Sequence, residues 1–207
     1  MTKIEKRGGT LGVETRAAEE KRTLAGYAAV FDVSADIGGW WIERIAPGAF
    51  AEAIGGDVRA LVDHDAGRVI GRTKSGTLRL SEDSRGLAVE VDVPDTTDGN
   101  DLWTLVERGD ISGMSFGFAV KHDEWDETGE MPIRTIHKVE LYEVSAVAWP
   151  AYDDTELGKR SLQEWRDAHQ PEPDTEITDP AAAPVTKAML TRARLKMDLD
   201  LKVRSTR

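Results

Sequence analysis

The chain has 207 residues, of which 40% are apolar and 31% charged; its formal net charge is −11 and it contains no cysteine. This acidic balance argues against nucleic-acid binding, because contacts to phosphates need a basic surface. Without cysteine, disulfides, thiolate nucleophiles and zinc–thiolate sites are excluded. No apolar run approaches membrane-spanning length, and the N-terminus lacks the apolar core of a signal peptide. We therefore expect a soluble intracellular protein that binds neither nucleic acid nor membrane.

The N-terminal half is predicted to consist mainly of strands. Residues 1–22 are polar and charged without a clear period, so we expect a flexible leader there. A short helix is expected over residues 47–54, because Pro47 stands near its start and two glycines follow it. Apolar runs bounded by glycine or proline predict strands over residues 23–31, 40–45, 58–64, 69–73 and 86–93.

The next part of the chain contains one helix and two long strands. Residues 98–108 place Leu102, Leu105 and Val106 at helical spacing. Strands are predicted over residues 111–120 and 133–147. Because strands do not alternate with helices along the chain, we expect an α+β domain with a mostly antiparallel sheet.

Composition changes after residue 153. Residues 153–179 contain nine Asp or Glu against three Lys or Arg, and residues 171–184 contain four of the eight prolines. Residues 187–207 contain seven Lys or Arg and two Asp, a net charge of +5. We therefore predict an ordered domain over 23–155, an acidic proline-rich linker over 156–186 and a flexible basic tail over 187–207. The tail fits both a frayed terminus and a helix that forms on a partner.

One serine stands out for its surroundings. Ser115 lies between Gly113 and Gly117, and the apolar residues that follow alternate with small ones. Flanking glycines let a substrate carbonyl approach and leave backbone N–H groups free to donate, as an attacking serine requires. The stretch also matches the G-x-S-x-G elbow of α/β-hydrolases, but a strand rather than a helix follows the serine. We predict that Gly113, Phe116 and Gly117 contact the substrate, although Gly-Ser-Gly is also common in turns.

A nucleophilic serine needs a base and a group that orients the base. Of the four histidines, His64 is the best candidate for the base, because it lies where a predicted strand passes into a loop. The orienting group is expected on the last strand, where His137, Glu140 and Glu143 are candidates. Glu143 is the more suggestive of the two glutamates, because an acid in an apolar run is costly unless it is paired.

A metal site is a weaker interpretation. His64 stands between two aspartates, but no second histidine lies at helical ligand spacing. We therefore expect neither a metal nor a cofactor.

Several segments, in order, resemble the prohead protease family of HK97-type tailed bacteriophages. They lie at residues 24–31, 43–50, 61–65, 69–72, 109–118, 141–147 and 150–152, and include Asp-His-Asp around His64, Met-Ser-Phe-Gly-Phe around Ser115 and Tyr-Glu-Val-Ser around Glu143. The family is similar in fold to herpesvirus assemblin, so the resemblance implies a β-barrel core with a few flanking helices. It also implies that Ser115 is the nucleophile, His64 the general base and Glu143 the orienting acid. The herpesvirus enzymes use a second histidine, which keeps His137 as an alternative.

The resemblance further implies a biological role. We expect a serine endopeptidase that cleaves the scaffolding segment of the major capsid protein, and itself, inside the immature capsid in the host cytoplasm. Association with further copies of itself is also expected. The alternatives are a non-catalytic capsid-assembly or scaffolding protein on the same fold, and a generic serine hydrolase.

Overall fold

Alternating apolar residues arrange most of the chain into strands. The computed structural model describes residues 4–9, 13–18, 21–149 and 166–167. The strands within these ranges are β1 (Glu5–Gly9), β2 (Glu14–Ala18), β3 (Lys21–Val30), β4 (Ala35–Ile37), β5 (Trp41–Ile45), β6 (Arg59–Val62), β7 (Asp65–Arg72), β8 (Leu78–Glu82), β9 (Gly86–Asp92), β10 (Gly113–Asp126) and β11 (Ile133–Val147). Between residues 21 and 149 one α-helix, α1 (Thr97–Glu107), accompanies them, and Thr73–Ser75 form a 3₁₀ turn; residues 166–167 are also helical.

The described strands form two sheets. The larger has the order β1-β10-β11-β5-β4, with β6 also paired to β11 and β7 paired to β6; the smaller has the order β2-β3-β9-β8. All pairings are antiparallel except those of β11 with β5 and with β6. The expectation of mostly antiparallel strands with few helices is therefore confirmed. Neither of these strand orders closes on itself in the described part of the chain, so the structure does not show the expected barrel.

The long strand β11 is the centre of the larger sheet. One edge of β11 pairs with β10 from Gly113 to Asp126. Its other edge is shared, because β5 pairs along Ile133–Ile136 and β6 along Glu143–Ala146. This sharing brings the end of β6, just before His64, next to the end of β11.

The core lies behind the inner face of β10. Phe116 and Phe118 stack with their ring centroids 4.7 Å apart, and Phe50 packs edge-on against Phe116 at 5.4 Å. Burying each aromatic side chain contributes on the order of 1.5–3 kcal/mol. This packing fixes which face of β10 points to the core, so the alternate residues Ser115 and Gly117 must lie on the other face.

The predicted helix over 98–108 is confirmed as α1. Its N-cap is Thr96, whose hydroxyl accepts a hydrogen bond from the Gly99 amide at 3.2 Å. Gly109 follows the helix with a positive φ of 80°, the conformation that ends many helices. The helix delivers the chain directly to the start of β10.

The predicted helix over 47–54 is wrong. These residues form successive turns, in which Ala49, Ala51 and Ala53 each donate to the carbonyl three residues earlier. Gly48 has a φ of 89°, which is incompatible with an α-helix. The turn also has an outside partner, because the amides of Gly48 and Phe50 donate to the carboxylate of Glu82.

The prediction of a leader without regular structure over residues 1–22 is wrong for two segments, which form β1 and β2. β1 pairs with β10 and β2 pairs with β3. The polar sequence of β1 concealed that strand, because its Glu5 and Arg7 are buried in ion pairs rather than in an apolar core.

The described residues up to Arg166 belong to one compact unit, Met1–Arg166. The predicted linker and basic tail lie outside the described residues, apart from residues 166–167. Among the residues that the structure describes, no helix has the length and apolar character needed to cross a membrane.

Candidate active site

β10 presents Ser115 on the face opposite to its core aromatics. Phe116 and Phe118 point into the core, so Ser115 and Gly117 share the other face. In the register with β11, Ser115 lies opposite Ser145 and Gly117 lies opposite Glu143. These four residues therefore form one small polar patch, in which Ser115 is fully buried.

Gly117 makes room for the carboxylate of Glu143. A Cβ atom built at position 117 would collide with Oε1 of Glu143 and would stand 3.0 Å from its Cδ. Any side chain at this position would displace the carboxylate. The sequence suggested that this glycine left room for a substrate, whereas the structure fills that space with Glu143.

His64 reaches the patch from a tight turn after β6. Asp63 and His64 have positive φ angles of 52° and 59°, which non-glycine residues seldom adopt. Such a conformation costs on the order of 1–3 kcal/mol per residue. β11 holds the turn in place, because the Asp63 amide donates to the Ala146 carbonyl at 3.0 Å and the His64 amide donates to Oγ of Ser145 at 3.2 Å.

A continuous chain of hydrogen bonds joins three of the predicted site residues. Nε2 of His64 lies 2.7 Å from Oγ of Ser115, and Nδ1 of His64 lies 2.6 Å from Oε1 of Glu143. The side chains of His64 and Glu143 are 9% and 11% exposed, so the contacts are largely shielded from water. With Nδ1–H donating to the carboxylate, Nε2 is free to accept the serine proton.

Ser145 is a site residue that the sequence analysis missed. Its hydroxyl donates to Oε2 of Glu143 at 2.6 Å and accepts the His64 amide bond. It therefore holds both the carboxylate and the turn that carries the imidazole. The sequence feature that could have identified Ser145 is its position two residues after Glu143, because residues two apart lie on the same face of a strand.

The structure does not bring the other candidates for the orienting group to Ser115. Glu140 pairs with Lys121 at 2.5 Å. His137 lies beside Glu124, and its ring is 5.4 Å from that of His122. No group of metal-binding side chains occurs within the described ranges.

A second polar cluster lies under β1. It is a network of the buried Glu5, Arg7, Glu43 and Arg134 with Asp123, whose side chain is 23% exposed. Arg7 binds Glu43 at 2.6 Å, and Arg134 bridges Glu5, Glu43 and Asp123. Burial alone would raise the pKa of Glu43, but the charges and hydrogen bonds of Arg7 and Arg134 hold that pKa below its ordinary value.

β1 itself lies along the edge of β10 beside Ser115. Gly8 is opposite Ser115 in the register, and Arg7 is opposite Phe116. Oγ of Ser115 lies 2.7 Å from the carbonyl oxygen of Arg7, within donating distance. The hydroxyl thus has two close partners, one on His64 and one on the backbone of β1.

A strand-borne serine bonded to a histidine that is bonded to a carboxylate is the arrangement of a serine hydrolase. The sequence profile of the caudovirus prohead serine protease matches residues 11–168. The chain belongs to this family. The match includes the turn at His64 and both strands that carry the polar patch.

Two similar proteins, a curated relative and a solved structure, can be compared with this chain. The prohead protease of Escherichia phage T5 is 30% identical over 112 residues, which are 51% of this chain and 50% of the relative. The chain thus spans about half the length of that relative. The fold is also similar to the bacteriophage T4 capsid assembly protease, gp21, with a TM-score of 0.47 and 14% identity over 71% of this chain and 96% of that one.

Proposed function

We propose that this chain is a serine endopeptidase of capsid maturation, with Ser115 as nucleophile, His64 as general base and Glu143 as the acid that orients it. The observation that supports this most directly is the hydrogen-bond chain from Ser115 through His64 to Glu143. Family membership supports the same reaction class. A closed barrel, as implied by the resemblance to the herpesvirus enzymes, stays a prediction.

The reaction follows from this geometry. Nε2 of His64 accepts the hydroxyl proton as Oγ of Ser115 attacks the substrate carbonyl carbon. The carboxylate of Glu143 accepts the Nδ1–H bond and stabilises the imidazolium that forms. The imidazolium then donates its proton to the leaving amine, and water releases the acyl group by the reverse steps. Because Ser145 holds the second oxygen of Glu143, the carboxylate stays aligned with the ring throughout.

We propose that the substrates are the scaffolding segment of the major capsid protein and the protease chain itself. The site of action would be the interior of the prohead in the host cytoplasm, where copies of the chain could associate. The T5 relative is named a prohead protease, which supports this assignment. The site needs no metal or cofactor for the reaction written above.

Co-expression with the capsid protein from the same genome tests the proposal. Wild type is expected to shorten the capsid protein, and Ser115→Ala is expected to leave it intact, as measured by intact-mass spectrometry. Ser112→Ala is the matched control, because it makes the same chemical change at an exposed position three residues earlier. Equal shortening by wild type and Ser115→Ala would refute the Ser115 mechanism. Shortening by neither would favour the non-catalytic scaffolding alternative.

We further propose that residues 187–207 direct the protease to the shell or scaffold and that self-cleavage falls within 154–186. The net charge of +5 on this tail contrasts with the acidic remainder of the chain. A chain ending at residue 155 is expected to enter proheads less efficiently than the full chain, as measured by immunoblotting of purified proheads. Equal incorporation would contradict the targeting role.

A further inference from the structure

The nucleophile in this structure is covered by the protein's own N-terminal strand. Ser115 has no exposed surface, and its hydroxyl lies against the carbonyl of Arg7. An external peptide carbonyl cannot reach Ser115 while β1 occupies this edge of β10. If Ser115 is the nucleophile, as proposed above, β1 must leave its place before a substrate binds.

The carbonyl that covers Ser115 takes up space that a substrate carbonyl must enter to reach Oγ. The Arg7 oxygen lies 2.7 Å from Oγ. Oγ therefore faces the carbonyl oxygen, as in a hydrogen bond, whereas attack requires it to face the carbonyl carbon, so β1 fills the site without being aligned for cleavage. β1 is also extended and antiparallel to β10, which is how a peptide adds to an open sheet edge.

The same carbonyl interferes with the general base. A hydroxyl has one hydrogen, so Ser115 donates either to the Arg7 oxygen or to Nε2 of His64. Donation to Arg7 leaves Nε2 without the proton that it must accept for attack. The docked strand therefore offers the serine hydroxyl a second acceptor that competes with Nε2 of His64.

β1 is also suited to leave as a unit. It is the end strand of the larger sheet and pairs only with β10 among the described strands. Its two buried charged side chains, Glu5 and Arg7, have opposite signs and depart together. The family match begins at residue 11, after this strand.

If β1 leaves, charged side chains remain beside the edge of β10 that it covered. Without β1, the buried network retains the carboxylates of Glu43 and Asp123 and the single guanidinium of Arg134. Glu43 then lacks the Arg7 side chain that bound it at 2.6 Å. Arg134 remains 3.2 Å from Glu43, but Glu43 and Asp123 then share this one guanidinium, which favours a ligand that restores the second positive charge.

We propose that β1 is an internal pseudo-substrate that occupies the peptide-binding edge of β10. Substrates bind at this edge as an antiparallel strand, with a basic side chain that pairs with Glu43 as Arg7 does. This inference rests on the proposed function of Ser115. It assigns the edge of β10 from Met114 to Phe118 as the substrate-binding strand.

Two opposite changes in the full-length chain test the occlusion. Lys6 is exposed, so Lys6→Pro loosens β1 without removing a buried side chain, and Lys6→Ala is its matched control. Gly9 and Met114 are register partners, and paired residues on antiparallel strands are within reach of a disulfide. Because the chain has no cysteine, Gly9→Cys with Met114→Cys gives one defined lock that dithiothreitol reverses.

The readout is the rate at which a fluorophosphonate probe labels Ser115, located by peptide mapping. Lys6→Pro is expected to label at least about tenfold faster than Lys6→Ala, and the oxidised double variant at least about tenfold slower than its reduced form. The two single-cysteine variants, treated with the same oxidant, are expected to show no such change. Equal rates in both comparisons would overturn the occlusion and leave the serine mechanism intact. Failure of every variant, including Lys6→Pro, to label at Ser115 would overturn the proposed function itself.

A peptide competition tests the charge preference. A synthetic peptide with the sequence of residues 4–9 is expected to slow the labelling of Lys6→Pro, and the same peptide with norleucine in place of Arg7 is expected to protect at least about tenfold less well at equal concentration. Equal protection by both peptides would overturn the requirement for a basic residue opposite Glu43.

Discussion

Gly117→Ala adds only a methyl group, yet it is expected to disable the site. The new Cβ would collide with Oε1 of Glu143 and would lie 3.0 Å and 3.1 Å from its Cδ and Cγ. To restore ordinary contacts the carboxylate must move by about 1 Å. Oε1 of Glu143 lies 2.6 Å from Nδ1 of His64, so a shift of about 1 Å away from the ring would lengthen this distance beyond hydrogen-bond range.

The expected cost in rate follows from this displacement. A misplacement of about 1 Å in a catalytic array lowers the rate about 10²-fold. We expect kcat/KM for capsid-protein cleavage to fall about 10²-fold, mostly in kcat, because the methyl group points at Glu143 rather than at the substrate edge. Initial rates of cleavage measured by mass spectrometry give kcat and kcat/KM, and a thermal melt shows whether the variant is folded.

The matched control is Gly55→Ala. A Cβ atom at Gly55 meets nothing within 4 Å, so the same chemical change is expected to leave the rate unaltered. A folded Gly117→Ala protein with wild-type kcat/KM would refute the argument that Gly117 exists to admit the Glu143 carboxylate.

Three further predictions concern the groups around this carboxylate and the buried network. Glu143→Gln keeps the size of the side chain but cannot balance the imidazolium on His64, so kcat is expected to fall about 10³-fold in initial-rate assays; a loss below tenfold would contradict the orienting role. Ser145→Ala removes one donor to Glu143 and one acceptor for the His64 amide, so a stability loss of about 1–3 kcal/mol in urea titrations and a roughly tenfold lower kcat are expected; unchanged values would contradict its supporting role. The folded state lowers the pKa of Glu43, so its stabilisation is present above the unfolded value of about 4.3 and is lost as the pH falls through the folded value. Thermal melts of wild type and Glu43→Gln are therefore expected to converge as the pH is lowered from 7 towards 3, and a constant gap would contradict this linkage.

Local patterns predicted the elements whose periodicity is strong. The alternation around Phe116 and Phe118 indicated β10, and the spacing of Leu102 and Val106 indicated α1. The helix over residues 47–54 was predicted from Pro47 and the two glycines that follow the segment, whereas the positive φ of Gly48 and the contact to Glu82 make the segment a series of turns. β1 was missed because its buried residues are charged, and their burial depends on partners more than thirty positions away.

The sequence by itself determined the chemical groups and the strands that carry them: a serine among small residues, a histidine at a strand end and a glutamate in an apolar strand. Only the tertiary structure decided that these groups meet, because the pairing of β6 with β11 and of β10 with β11 joins segments distant in the chain. It also decided that Gly117 admits a carboxylate, that Ser145 supports it and that β1 covers Ser115. Strand register sets each of these contacts, and register depends on the packing of both faces of a sheet rather than on any single stretch of residues.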